Sequence, residues 1–113
     1  MSTLLALYRR PDGGDDAYTA FERAYAETHL PLIARLPGLR TLRVARVRRT
    51  LAGPSGVALV ARMAFDDWES TKAALGSSEM EAAGRNLAEI GGSDLLTLLA
   101  VDEARDLIPE PFR

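Results

Sequence analysis

The 113-residue chain contains no cysteine, one histidine and one tryptophan. Without a thiol it has no disulfide framework, no cysteine-ligated zinc or iron–sulfur site and no cysteine nucleophile. A single histidine excludes metal sites built on a histidine pair, and no motif requires a cofactor. No run approaches the ~20 apolar residues needed to span a bilayer. An excess of one charge sign is also missing: the formal net charge of −2 offers no global attraction for nucleic acid or an anionic membrane. The N-terminal segment Met1-Ser2-Thr3-Leu4-Leu5-Ala6-Leu7-Tyr8 has no positive n-region, and its apolar run is too short for a signal peptide, so a cytoplasmic location is expected. What is present, 47% apolar and 27% charged residues, is the balance of one folded soluble domain.

Leu4 to Tyr8 reads as a strand, broken by Arg9, Arg10 and the turn cluster Pro11-Asp12-Gly13-Gly14. Asp15 and Asp16 suit the cap and first turn of a helix, where free N–H groups and the helix dipole favour anions. Tyr18, Phe21, Tyr25, His29, Leu32, Ile33 and Leu36 then recur at helical spacing on one stripe. Pro31 lacks an N–H and disfavours helical geometry at Leu30, which predicts a kink or break near His29. Pro37-Gly38 ends the helix. The arginine-rich stretch from Leu39 to Thr50, the turn Gly53-Pro54-Ser55-Gly56 and the apolar run Val57 to Phe65 read as a β-hairpin. Asp66-x-x-Glu69 and Ser78-x-x-Glu81 have capping-box spacing, which predicts helices opening at Asp67 and just after Ser78. Gly91-Gly92 closes the second of them, and Leu95 to Val101 is the last strand. These elements assign residues 1–103 to the domain and 104–113 to an acidic, proline-bearing tail, whose Asp106 and Glu110, with Asp102 and Glu103, are expected to face the arginine strand of a partner subunit.

The order β-α-β-β-α-β, with the second helix split, is the α+β arrangement of a ferredoxin-like subunit with a four-stranded antiparallel sheet. Such a sheet carries its helices on one face, so the other should alternate with polar residues. It does not: Leu4 to Tyr8, Val57 to Ala61 and Leu95 to Val101 are apolar on both faces. A patch of that size needs a cover. An identical subunit packed sheet to sheet, in a C2 homodimer, is the simplest one.

The stretch Phe21-x3-Tyr25-x3-His29-Leu30-Pro31-Leu32-x3-Leu36-Pro37-Gly38-Leu39-Arg40, preceded by Leu7-Tyr8-Arg9-Arg10-Pro11, resembles the EthD family of dimeric α+β-barrel proteins. Its specific part is H-x-P-L followed by L-P-G-L; Phe65-x2-Trp68 and Ser77-Ser78-x-Met80 agree more loosely. The resemblance implies a ferredoxin-like subunit that dimerises through its sheet into a barrel with an internal pocket. It also implies a pocket-lining place for His29, as for the matching histidine of related lactone isomerases. The wider superfamily includes isomerases, cofactor-free monooxygenases, haem proteins and members without known activity, so the likeness does not choose a reaction.

Among individual residues, His29 is the one side chain suited by its ordinary pKa to proton transfer near neutrality. It reads either as a general acid/base or as a buried, hydrogen-bonded histidine at the helix kink. Tyr8, at a strand end, is the second catalytic candidate, placed to donate to a substrate carbonyl. Its alternative is an amphipathic core edge. Tyr25, one helical turn before His29, together with Arg43 and Trp68, are candidates for substrate binding. Tyr25 and Trp68 also fit plain packing, and Arg43 fits a solvated edge that blocks edge-to-edge aggregation. Nucleic acid is not an expected partner, because Gly56 to Phe65 has no internal aromatic on which a base could stack. The function these features support is binding of a small apolar or aromatic carbonyl-type metabolite, with cofactor-free isomerase or oxygenase-type chemistry at His29. The alternative is a non-catalytic ligand-binding or accessory protein.

Overall fold

A computed structural model describes residues 1–102. The elements run β1 (Ser2–Arg9), α1 (Gly14–Ala24), a π turn (Tyr25–His29), α2 (Leu30–Ile33), β2 (Thr41–Arg46), β3 (Val57–Phe65), α3 (Trp68–Leu75), α4 (Ser78–Glu89), a 3-10 turn (Ser93–Leu95) and β4 (Leu96–Val101). The strands form one antiparallel sheet in the order β2-β3-β1-β4, the expected ferredoxin-like α+β topology. The domain boundary at 103 and the tail from 104 lie outside the described residues, as do the tail contacts, apart from the exposed Asp102.

Strand register assigns every side chain to a face, because residues opposite each other in the ladder point the same way. Leu4, Ala6 and Tyr8 pair with Met63, Ala61 and Leu59, and these are buried under the helices together with Phe21, Tyr25, Ile33 and Leu87. Thr3, Leu5 and Leu7 occupy the opposite face, beside Ala64, Arg62 and Val60 of β3 and Val101, Leu99 and Thr97 of β4. Among the described residues, no helix covers that second face. Leu99 and Val101 are 42% and 37% exposed there, while Leu5, Leu7 and Val60 are half-buried.

Three details depart from the expected local structure. α1 opens two residues earlier than its two aspartates suggest: its cap is Gly13, at φ 106°, and Asp15 and Asp16 occupy the first turn without capping it. A Cβ at residue 13 would sit 2.9 Å from that of Ala17, so the left-handed backbone and the close approach both call for glycine. The caps of α3 and α4 are each shifted by one within a doublet. Asp67, not Asp66, accepts from Ser70 N–H (2.8 Å), because Asp66 is taken by the Arg40 guanidinium at 2.7 and 3.0 Å. Ser77, not Ser78, accepts from Met80 N–H at 3.1 Å.

Ser77→Ala is therefore expected to cost about 1 kcal/mol of folding stability, and Ser78→Ala less than about 0.5 kcal/mol. Urea unfolding of the two variants checks this, and equal losses would contradict the cap assignment.

Candidate functional site

Pro31 shapes the first helix. It cannot donate to the carbonyl four residues back, and its ring crowds that carbonyl. The chain meets this with a π turn rather than a break: Leu30 N–H donates to Tyr25 C=O, five residues earlier. In an ideal α-helix, residues four apart drift by about 40° per step, so Phe21, Tyr25, His29 and Ile33 would spiral away from the sheet. The wider turn absorbs that drift, and all four are buried. π turns recur at functional sites, which directs attention to its last residue, His29.

His29 is 3% exposed. Its ring stacks on Tyr25 at 5.3 Å between centroids, and Tyr25 meets Tyr8 edge-on at 4.9 Å. Nδ1 of His29 lies 3.2 Å from Oδ1 of Asn86 on α4, while Nε2 has no hydrogen-bond partner among the described residues. The imidazole and Tyr8 both line a cavity of about 80 Å³ between sheet and helices, whose other walls include Met63, Met80, Leu87 and Leu98. Exposed Gly84 and Leu98 mark its outer side. Tyr8 and His29 are the titratable groups on this otherwise apolar wall.

Burial sets the electrostatics. Desolvation lowers the His29 pKa, opposed in part by the Asn86 hydrogen bond, so the ring is neutral at pH 7. Desolvation raises the Tyr8 pKa, and a hydrogen bond from Tyr25 pulls it partly back. Tyr25 is raised first by burial and then by Tyr8. Both phenols are protonated at neutral pH, so Tyr8 carries a hydroxyl proton on the cavity wall. The site thus places a neutral imidazole and a phenol hydroxyl on one apolar-walled cavity.

His29, Tyr8 and Tyr25 are brought together, and the two other candidates are not. Arg43 lies opposite Arg62 on the uncovered face, on the far side of the sheet from the cavity. The two-residue period of the strand instead turns Arg46 towards the helices, opposite Leu59, where it forms an ion pair with Glu22 and lowers the Glu22 pKa. Trp68 is 48% exposed at the start of α3 and outside the cavity lining. Wider hollows of about 480 and 440 Å³ run along α1 beside Arg46, but they are shallow grooves in which Glu22 and Arg46 are already taken up by their mutual ion pair. Among the described residues, no three His, Asp or Glu side chains group as a metal site, and no helix is long and apolar enough to cross a membrane.

Asn86, Met80 and Gly84 are the site residues that sequence reasoning passed over. Asn86 carried a readable signal: an asparagine inside a helix, beside the stripe of Ala83 and Leu87, needs a side-chain partner to hold its place.

A helix-covered, four-stranded antiparallel sheet with one open face is the subunit of the ferredoxin-like α+β proteins, and solved structures agree. A dimeric protein of unknown function with a ferredoxin-like fold from Bacteroides fragilis NCTC 9343 is 17% identical and superimposes with a TM-score of 0.62, covering 90% of this chain and 95% of that one. An inferred antibiotic biosynthesis monooxygenase from Deinococcus radiodurans is 12% identical with a TM-score of 0.61, covering 96% and 98%. An ethyl tert-butyl ether (EthD) family protein from Bacillus halodurans C-125 is 36% identical over 92% of this chain and 99% of its own, with a TM-score of 0.79. The chain belongs to the EthD family. No family model matches it, and neither does any curated protein.

The lowered His29 pKa has a consequence for stability. The unfolded chain takes up a proton near pH 6.5 and the folded chain only at lower pH, so stability falls as the pH drops through about 6.5 and the loss is complete below the folded value. Urea unfolding between about pH 7.5 and pH 5 should show this decline in the wild type and a flatter profile in His29→Gln. Parallel profiles would mean that His29 is not held neutral by burial.

Proposed function

We propose that this EthD-family protein binds a small apolar or aromatic carbonyl-type metabolite in the cavity beneath its helices and moves a proton on it without a cofactor. The observation that carries this reading is a buried neutral histidine whose Nδ1 is held by Asn86, whose Nε2 has no hydrogen-bond partner among the described residues, and which shares an apolar-walled cavity with Tyr8. Nε2 removes a proton from the carbon next to the carbonyl. Tyr8 donates to the carbonyl oxygen as it gains charge, and low local polarity strengthens that hydrogen bond. Return of the proton to another carbon completes an isomerisation. Alternatively, the same electron-rich anion reacts with dioxygen, an oxygenase-type outcome in line with the name of the Deinococcus neighbour. Tyr25 supports Tyr8 from behind. Neither Arg43 nor Trp68 has a part in this reading.

At about 80 Å³ the cavity is well below the ~300–1,000 Å³ of drug-sized ligand sites, so it suits a compact ligand. Met80, unbranched and flexible, is the wall residue best able to make room for a ring.

A panel of small aryl ketones and unsaturated lactones, incubated in deuterated buffer, tests the reading by exchange at the carbon next to the carbonyl. Exchange should fall by about 10²–10⁴-fold in His29→Gln and less in Tyr8→Phe, while ligand-induced thermal shifts persist. Binding without exchange in the wild type would favour a purely ligand-binding protein.

The open face of the sheet carries the proposal of a homodimer. Leu5, Leu7, Val60, Leu99 and Val101 form an apolar surface that no described residue covers, and the Bacteroides relative is described as dimeric. Two copies packed face to face bury it on both sides. Sedimentation should give twice the 12.3 kDa chain mass, and Leu99→Glu should shift the protein towards monomer. A wild-type monomer at micromolar concentration would refute the dimer.

A further inference from the structure

We infer that Asn86 is a positioning residue that locks His29 in the tautomer carrying its proton on Nδ1, and so aims the Nε2 lone pair into the cavity. The argument is a proton count along a chain of four groups. Thr28 Oγ1 donates its one proton to the Ala24 carbonyl at 2.7 Å. Towards Asn86 the hydroxyl can then act only as an acceptor, so the Asn86 atom 3.2 Å from it is the amide nitrogen, which donates. That orientation turns the Asn86 carbonyl oxygen to His29 Nδ1 at 3.2 Å. A carbonyl oxygen brings no proton, so Nδ1 must carry one. In a neutral imidazole the other nitrogen is then the acceptor. An asparagine of α4 and a threonine of the π turn together settle which ring nitrogen can take a proton.

The groups around the ring leave this network unopposed. Tyr25 meets the imidazole by its face, Tyr8 is the other titratable group lining the cavity, and the facing part of α4 is Met80, Ala83, Gly84 and Leu87. Among the described residues, no carboxylate or cation lines the cavity to favour the opposite tautomer or the charged ring. A free imidazole prefers its proton on Nε2, so without Asn86 the lone pair would turn away from the cavity.

The catalytic value of this arrangement rests on the function proposed above, whereas the tautomer itself does not. Because His29 is the chain's one histidine, long-range ¹⁵N–¹H correlation spectra of labelled protein contain a single imidazole. At pH 7.5 the wild type should show a protonated Nδ1 and a bare Nε2. Asn86→Leu should shift the spectrum towards the Nε2–H form. Thr28→Val, at an exposed position, should do so partially by releasing the Asn86 amide. Asn86→Asp keeps an accepting oxygen, so it should preserve the Nδ1–H tautomer while raising the His29 pKa by about one to three units. An Nε2–H wild type, or nitrogen shifts unchanged in both Asn86→Leu and Thr28→Val, would overturn the assignment. Absence of proton exchange with the tautomer as described would count against the proposed reaction and leave the assignment standing.

Discussion

The missing N–H of Pro31 is the constraint on which the site depends. A regular helix through residues 25–33 would need that donor and would carry Tyr25, His29 and Ile33 progressively off the sheet. The π turn removes both difficulties with one five-residue hydrogen bond, from Leu30 to Tyr25. Once it forms, Tyr8, Tyr25 and His29 stand in ring contact from β1 to the turn. Aromatic packing and the buried imidazole are thus two results of the same backbone adjustment. The hydrogen-bond chain from Ala24 through Thr28 to Asn86 then ties the turn to α4.

The sheet serves two purposes by having two faces. Its helix side supplies Leu4, Ala6, Tyr8 and their β3 partners to the core. The other side stays apolar at Leu5, Leu7, Val60, Leu99 and Val101 and carries the arginine pair Arg43 and Arg62. Two facing arginines at the end of an apolar surface are costly unless solvent or a partner's groups reach them. Catalytic candidates and the open apolar face are therefore separated by one sheet thickness, and the alternation of strand side chains keeps them apart.

Much of this was legible in the chain. The apolar runs that became β1, β3 and β4, the turn clusters between them and the family motif around His29 all depend on short-range chemistry. What escaped was choice among near-equivalent neighbours. Asp66 and Asp67 are both able to cap α3, and only Arg40, 26 residues from Asp66, decides between them. Ser77 and Ser78 pose the same ambiguity at α4. Among the arginines of β2, alternation guaranteed that some would face each side, but the register with β3 determined that Arg43 faces away from the cavity and Arg46 towards the helices.

By itself, then, the sequence determined the order of elements, the apolar character of both sheet faces and the singularity of His29, because periodicity, turn chemistry and composition are local properties. Only the tertiary structure decided that Asn86 meets His29 across 57 residues, that Tyr8 shares its cavity, and that Arg43 and Trp68 do not. Those relations arise where helices and strands pack together, and the distances that decide them are set by the whole fold.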